Sequence, residues 1–354
     1  MESFPALSWI INNECNLKCI HCYTGSSQKR EQFSPLNDED FALIKNNLAD
    51  TKFNFIFLSG GEPACDKNIF KFLDLCRSLK PNNLFMLSNG LLLDDEHLLK
   101  FKNAGVTGFS IGYQHYDSNV ADRLYGQSGV HKRIFENVKK IKDMGFLLYF
   151  DTIIMRENYL HLEEMIKFAI ENEIDNITFK RYASIGRGEN PYNLILSKEE
   201  NRQAIQALLR LKEKYRNLSI VIHDPLASIE IYNKLEQEGY THSQIRRIMG
   251  KDRGCFAGTS WIGVDSFGNV IPCPLMLHTG PVLGNLTQKS FQEILSTSEY
   301  IQDIQKSKSD KYLQSCKYSF ACGGCKCHIA TETGKIYGSD PMCCVVGKCP
   351  IQMV

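Results

Sequence analysis

The sequence has no apolar run that approaches the roughly 18 residues needed to span a bilayer as a helix. Its first residues, Met1-Glu2-Ser3-Phe4-Pro5, lack the basic start and apolar core of a signal peptide, which makes the cytoplasm the expected location. Neither sign of charge is in excess. Lys and Arg number 41 against 40 Asp and Glu, so nothing global favours a nucleic-acid backbone or an anionic membrane as partner. With only 11 Pro and 25 Gly in 354 residues, and 43% hydrophobic residues, the chain is neither disordered, collagenous nor a coiled coil. Its length suits about two domains, or one large α/β domain with an added module.

Cysteine is what the sequence has in abundance. There are 14, and they are clustered. Cys15, Cys19 and Cys22 lie near the start. Cys255, Cys273, Cys316, Cys322, Cys325, Cys327, Cys343, Cys344 and Cys349 crowd the last hundred residues. Only Cys65 and Cys76 fall between, and Cys76 shares a helical face with Ile69 and Leu73, as a core thiol does. A disulfide framework suits small secreted chains. Clustered thiols in a reducing compartment read first as metal ligands. A structural zinc site wants four ligands, and the N-terminal group offers three; His21 is a poor fourth because Cys22 adjoins it. Three thiolates suit an iron–sulfur cluster with one iron left open for chemistry. For the tail, zinc and iron–sulfur ligation both remain open.

Apolar runs at 6–11, 53–58, 84–87, 106–111, 146–155 and 177–179 read as strands. Helical spacing separates them, as at Val130, Ile134, Val138 and Ile141, and at Leu162, Ile166 and Ala169. Alternation of this kind implies a parallel sheet, and six units imply an incomplete TIM-type barrel, (β/α)6. Active groups of barrels gather at the C-terminal ends of strands. The three-cysteine loop, Ser59-Gly60-Gly61-Glu62-Pro63 and Ser88-Asn89-Gly90 all fall there. The expected organisation is a barrel over 1–190, a helical bridge over 191–253 containing one more strand at 218–222, and a cysteine-rich domain over 254–354.

Cys15-x3-Cys19-x2-Cys22 at the end of the first strand, with Gly-Gly-Glu-Pro after the second, resembles the radical S-adenosylmethionine (radical SAM) enzymes. In the tail, Cys255, twelve residues, Gly268, four residues, Cys273 resembles the opening of a SPASM domain, and CGGCKC at 322–327 with Cys343 its close. Cys316 fills one position of the usual SPASM pair, but Leu313 stands at the other, and Cys327 and the Cys343-Cys344 doublet are extra. The fold expected is thus a partial barrel followed by a small cysteine-rich SPASM-like domain.

The resemblance implies a [4Fe–4S] cluster on Cys15, Cys19 and Cys22 that binds S-adenosylmethionine and cleaves it to a 5′-deoxyadenosyl radical. It implies one or two auxiliary [4Fe–4S] clusters in the tail. One would sit on Cys255, Cys273, Cys325 and Cys327, and the other on Cys316, Cys322, Cys343 and Cys349. Gly60 and Gly61 would let backbone approach the cofactor, Glu62 would take its ammonium, and Pro63 would stiffen the turn. Ser88, Asn89 and Ser110 would face its ribose and methionine ends, and Arg123 its carboxylate. No residue stands out as general acid or base; His21, His115 and His223 read as ordinary loop histidines. Enzymes of this layout often modify ribosomally made peptides, by crosslinking, epimerisation or oxidation. A small-molecule dehydrogenase or decarboxylase acting on a sugar or tetrapyrrole is the alternative, and a non-catalytic metal scaffold a third reading. A flavodoxin- or ferredoxin-like electron donor is implied, with neither nucleic acid nor membrane as partner.

Overall fold

The computed structural model describes residues 2–26, 36–189, 193–250, 254–307, 316–334, 338–343 and 345. Its strands are β1 (Glu2–Ile10), β2 (Thr51–Ser59), β3 (Asn83–Ser88), β4 (Gly108–Gly112), β5 (Leu147–Ile154), β6 (Asn176–Arg181), β7 (Ser219–His223), β8 (Trp261–Val264), β9 (Asn269–Ile271) and β10 (Gly284–Asn285). They form one sheet in the order β10-β9-β8-β1-β2-β3-β4-β5-β6-β7. From β8 through β1 to β7 every pairing is parallel. The six expected strands are all present. β7 extends the row beyond β6, and a four-residue strand of the tail, β8, joins the other side of β1. β8 was not foreseen because Trp-Ile-Gly-Val is too short to carry a period.

Helices cross between the strands: α1 (Asp38–Leu48), α2 (Ile69–Ser78), α3 (Asp95–Asn103), α4 (Ser118–Tyr125), α5 (Val130–Asp143) and α6 (Leu162–Glu171). Beyond β6 come α7 (Lys198–Lys214), α8 (Ala227–Gln237) and α9 (His242–Met249). The tail holds α10 (Phe291–Thr297), α11 (Glu299–Ser307) and α12 (Lys326–Thr333). Local chemistry marks their starts. Asn37 with Asp40, and Ser197 with Glu200, form reciprocal capping boxes on α1 and α7. Ser298, with its extended backbone, separates α10 from α11.

The period of two along the strands sorts residues onto two faces. Leu7, Trp9, Ile56, Leu58, Leu148 and Phe150 point to the helices and build the main core with Ile44, Leu48 and Phe72. Trp9 meets Phe72 edge-on at 5.2 Å. The concave face carries a second, aromatic layer. Phe57 stacks on Trp261 at 5.3 Å, and Phe85 reaches Tyr149 at 4.6 Å across β4. That contact requires Gly108, where an added Cβ would lie 2.6 Å from the Phe85 ring. Polar residues occupy the same face nearer the strand ends: Ser8, Ser59, Asp151, Lys180 and His223. In the tail, Gly268 (φ +79°) makes the turn between β8 and β9, which gives the Cys255–Gly268–Cys273 spacing a conformational reason. Among the described residues no helix is long and apolar enough to cross a membrane.

Candidate functional site

The chain leaves β1 at Ile10 and runs along the C-terminal rim as the loop carrying Cys15, Cys19 and Cys22. It is held from three sides. The Gly61 N–H donates to the Asn12 carbonyl (3.0 Å) and the Glu62 N–H to the Glu14 carbonyl (2.7 Å). A Cβ at Gly61 would stand 2.1 Å from the Glu14 oxygen, and one at Gly60 would be 2.4 Å from Asn12 Oδ1. The close approach expected of these glycines is therefore made to the chain's own cysteine loop. On the second side, the Ile20 N–H donates to the Leu124 carbonyl at the end of α4 (3.0 Å). On the third, Gly186 (φ +61°) brings backbone so near that a Cβ would lie 2.4 Å from the Tyr23 oxygen. Arg187 then donates its backbone N–H to the Cys22 carbonyl (2.9 Å), Nε to the Cys19 carbonyl (2.8 Å) and Nη1 to the Ser26 carbonyl. Sequence reasoning missed Asn12 and Arg187. The Gly-Arg-Gly run at 186–188 was the available clue.

Glu62 is fully buried. Its carboxylate accepts from the Ser88 hydroxyl (2.8 Å), the Asn89 N–H (2.7 Å) and the Ala64 N–H (3.2 Å). Burial pushes its pKa up, and these three donors pull it partly back. Ser88 and Asn89 thus bind Glu62, tying the β2 turn to the β3 turn. Pro63 is buried and opens a single 3₁₀ turn, Pro63–Cys65. Asn89 Nδ2 donates to Asn16 Oδ1 (2.6 Å) and lies 3.8 Å from Cys15 Sγ. Ser110 is buried on the concave face of β4. Arg123 lies on α4 with its side chain 63% exposed, paired with Glu157 at 3.4 Å.

The three thiols fit an iron–sulfur cluster by their surroundings. Burial pushes the Cys15 thiol up to about 11 and the Cys19 thiol higher, and the Cys22 charge adds to both shifts, so anionic thiolates here call for a compensating cation. The sulfurs also face donors. The Leu17 N–H points at Cys15 Sγ (3.4 Å), and the Thr24 hydroxyl lies 3.2 Å from Cys22 Sγ. Among the described residues no three donors are packed closely enough to hold one lone ion. A cluster takes one thiolate per iron and accommodates such spacing.

Beside this loop the concave face ends in charged groups. Lys180 Nζ donates to Asp151 Oδ2 at 2.5 Å, while Asp151 Oδ1 is buried without a partner. His223 lies against Trp261 (5.3 Å), and its pKa is lowered to about 4 by burial and by the Lys180 charge. His21 is lowered to about 4 by burial and Arg187, and its Nδ1 is also unpartnered. Asp151, Lys180 and His223 carried no role in the sequence reading. Their clue was parity, since each sits on the inward register of a strand whose outward register carries apolar core residues.

The tail thiols fall into two neighbourhoods. Cys255 hydrogen-bonds Cys325, a contact that raises the first and depresses the second. Burial pushes both Cys273 and Cys327 up, Cys273 to about 12, and both lie near enough for the Cys325 charge to add to the shift. Cys327 Sγ donates to the Leu275 carbonyl at 3.2 Å. Cys316, Cys322 and Cys343 gather elsewhere, in an apolar cluster with Tyr318 and Ala321. Cys349, Cys344 and Leu313 lie outside the described residues.

Residues 9–169 match the family model of the radical SAM superfamily, and residues 255–325 match that of SPASM, an iron–sulfur cluster-binding domain. The AdoMet-dependent heme synthase of Methanosarcina barkeri is 23% identical over 350 residues, which is 97% of each chain. The PqqA peptide cyclase of Rhizobium meliloti is 22% identical, covering 94% of this chain and 85% of its own. Streptococcus suis SuiB bound to precursor peptide SuiA has a similar fold, with a TM-score of 0.75 at 19% identity over 97% of this chain and 76% of that one.

Proposed function

This chain belongs to the radical SAM superfamily and carries a SPASM domain, and from that premise we propose that it modifies a ribosomally made peptide. It is an enzyme whose cofactors are S-adenosylmethionine, a [4Fe–4S] cluster and auxiliary iron–sulfur clusters. When bound, the first two supply a 5′-deoxyadenosyl radical that removes a hydrogen atom from substrate.

Cys15, Cys19 and Cys22 would hold the catalytic cluster, and the loop's three-sided attachment keeps their backbone fixed. Glu62, Ser88 and Asn89 fix the two turns beside it. Ser110, on the concave face of β4, would border the cofactor's ribose. Asp151, Lys180 and His223 line the wall between the cysteine loop and the first tail neighbourhood.

One observation carries the choice of substrate. The two cations at the end of β6 are already matched, Lys180 by Asp151 and Arg181 by Asp340 and Asp224. Tetrapyrroles of the haem pathway bear several carboxylates, and neither of these two cations is free to pair with them. The unpartnered Asp151 Oδ1 instead suits a neutral donor, such as a peptide N–H. The relatives keep a second reading in view, since heme synthases match over most of their length. The test is anaerobic turnover with reconstituted enzyme, S-adenosylmethionine and a reducing flavodoxin. Short peptides encoded beside the gene compete with iron-coproporphyrin as substrate. Stoichiometric 5′-deoxyadenosine with a modified peptide supports the proposal. Loss of carbon dioxide from the porphyrin, with the peptides untouched, overturns it.

A further inference from the structure

Arg181 is the last residue of β6, and its side chain is only 5% exposed. Nη1 and Nη2 donate to the two oxygens of Asp340 at 2.9 and 2.8 Å, a two-pronged pair. Nε lies 3.7 Å from Asp224 Oδ2. Asp340 does more than neutralise the guanidinium. Its Oδ2 also accepts from the Cys325 N–H (2.7 Å), and its Oδ1 from the Met342 N–H (3.0 Å). Gly324 admits it, for a Cβ there would lie 3.1 Å from Asp340 Cβ. The next residue, Tyr182, offers its carbonyl to His328 Nε2 at 2.7 Å. Asp224 in turn accepts from Asn201 Nδ2 of α7 (3.2 Å) and the Leu226 N–H (2.9 Å).

One buried cation therefore joins the barrel, the α7–α8 segment and the two tail segments that carry Cys325 and Cys343. Among the described residues, its hydrogen bonds and ion pairs include none to the barrel cysteine loop. We propose that Arg181 is the positioning residue that fixes the first tail thiol neighbourhood against the barrel, acting through Asp340 on the Cys325 peptide. A fixed outer shell of this kind orients metal ligands that it does not itself provide. A buried ion pair adds little net stability, but losing one member leaves a charge without a partner. The Cys325 segment should loosen accordingly. The inference rests on Cys325 being a ligand of an auxiliary cluster.

The test uses reconstituted holoenzyme and two variants. Arg181→Lys keeps the charge and loses the two-pronged geometry. Asp340→Asn keeps the shape and loses the charge. Iron content and the electron paramagnetic resonance (EPR) spectrum of the reduced protein are read with and without S-adenosylmethionine. Both variants are expected to lose about four irons per chain relative to wild type and one auxiliary signal. The signal that changes on adding S-adenosylmethionine, that of the barrel cluster, is expected to persist. Wild-type iron and spectra in both variants overturn the proposal. So does loss of the S-adenosylmethionine-responsive signal in both, which would make Arg181 a general element of the fold. If Arg181→Lys does not fold, Asp340→Asn decides by the same criteria. Wild-type protein holding only about four irons would instead remove the underlying ligand reading.

Discussion

The Glu62 carboxylate accepts the backbone N–H of Asn89 at 2.7 Å, joining two turns that lie 27 residues apart. The acid expected to face the cofactor is thus first a fastener within the protein. Glu62→Ala leaves the Ser88 hydroxyl and the Asn89 N–H without their acceptor, which costs about 1–3 kcal/mol of stability. Chemical denaturation and S-adenosylmethionine titration check this together. Both stability and affinity are expected to fall, and Glu62→Gln to restore most of the stability. Lost affinity at unchanged stability would return Glu62 to a role in direct contact with ligand.

Gly61 and Gly129 make an informative pair. A Cβ at Gly61 meets the Glu14 carbonyl at 2.1 Å, whereas one at Gly129 (φ +75°) meets nothing within 4 Å. Gly129→Ala should cost about 1 kcal/mol, for backbone conformation alone. Gly61→Ala must displace the cysteine loop, and is expected to prevent cluster assembly in the barrel while tail iron is retained. Iron analysis of both proteins decides, and full barrel iron in Gly61→Ala would contradict the geometry.

Arg123 pairs with Glu157 in solvent, and its side chain is 63% exposed. Exposed pairs contribute roughly 0–1 kcal/mol. Arg123→Ala should therefore change unfolding midpoints little. Its effect on S-adenosylmethionine affinity is the sharper test. No change within error is expected from the exposed geometry, and a tenfold loss would restore the carboxylate-binding role that the resemblance implies.

His223 is held neutral, its pKa lowered from 6.5 to about 4. As pH falls below 6.5, the unfolded chain takes up a proton that the folded chain refuses, so stability declines until the folded pKa near 4 is reached. Urea midpoints across that window should fall more steeply for wild type than for His223→Gln. Parallel curves would show that His223 does not titrate in this way.

The barrel was legible because its information is local and periodic. Apolar runs located all six expected strands, and the cysteine spacing named the loop. Asp151, Lys180 and His223 were not legible as a group. They come from three strands, and only the pairing of β5, β6 and β7 brings them onto one rim. Arg181 and Asp340 stand 159 residues apart, and neither segment marks the other. β8 was hidden by its length, since Trp261–Val264 becomes a strand only because β1 offers it an edge.

The central claim is that the radical is generated at Cys15, Cys19 and Cys22, with the tail thiols holding separate clusters. Replacing those three cysteines by alanine in anaerobically reconstituted protein tests it in one measurement of iron and 5′-deoxyadenosine. With two auxiliary clusters, the wild type should hold about twelve irons and the variant about eight, with no 5′-deoxyadenosine formed. A variant that still cleaves S-adenosylmethionine, or that loses all its iron, would contradict the account.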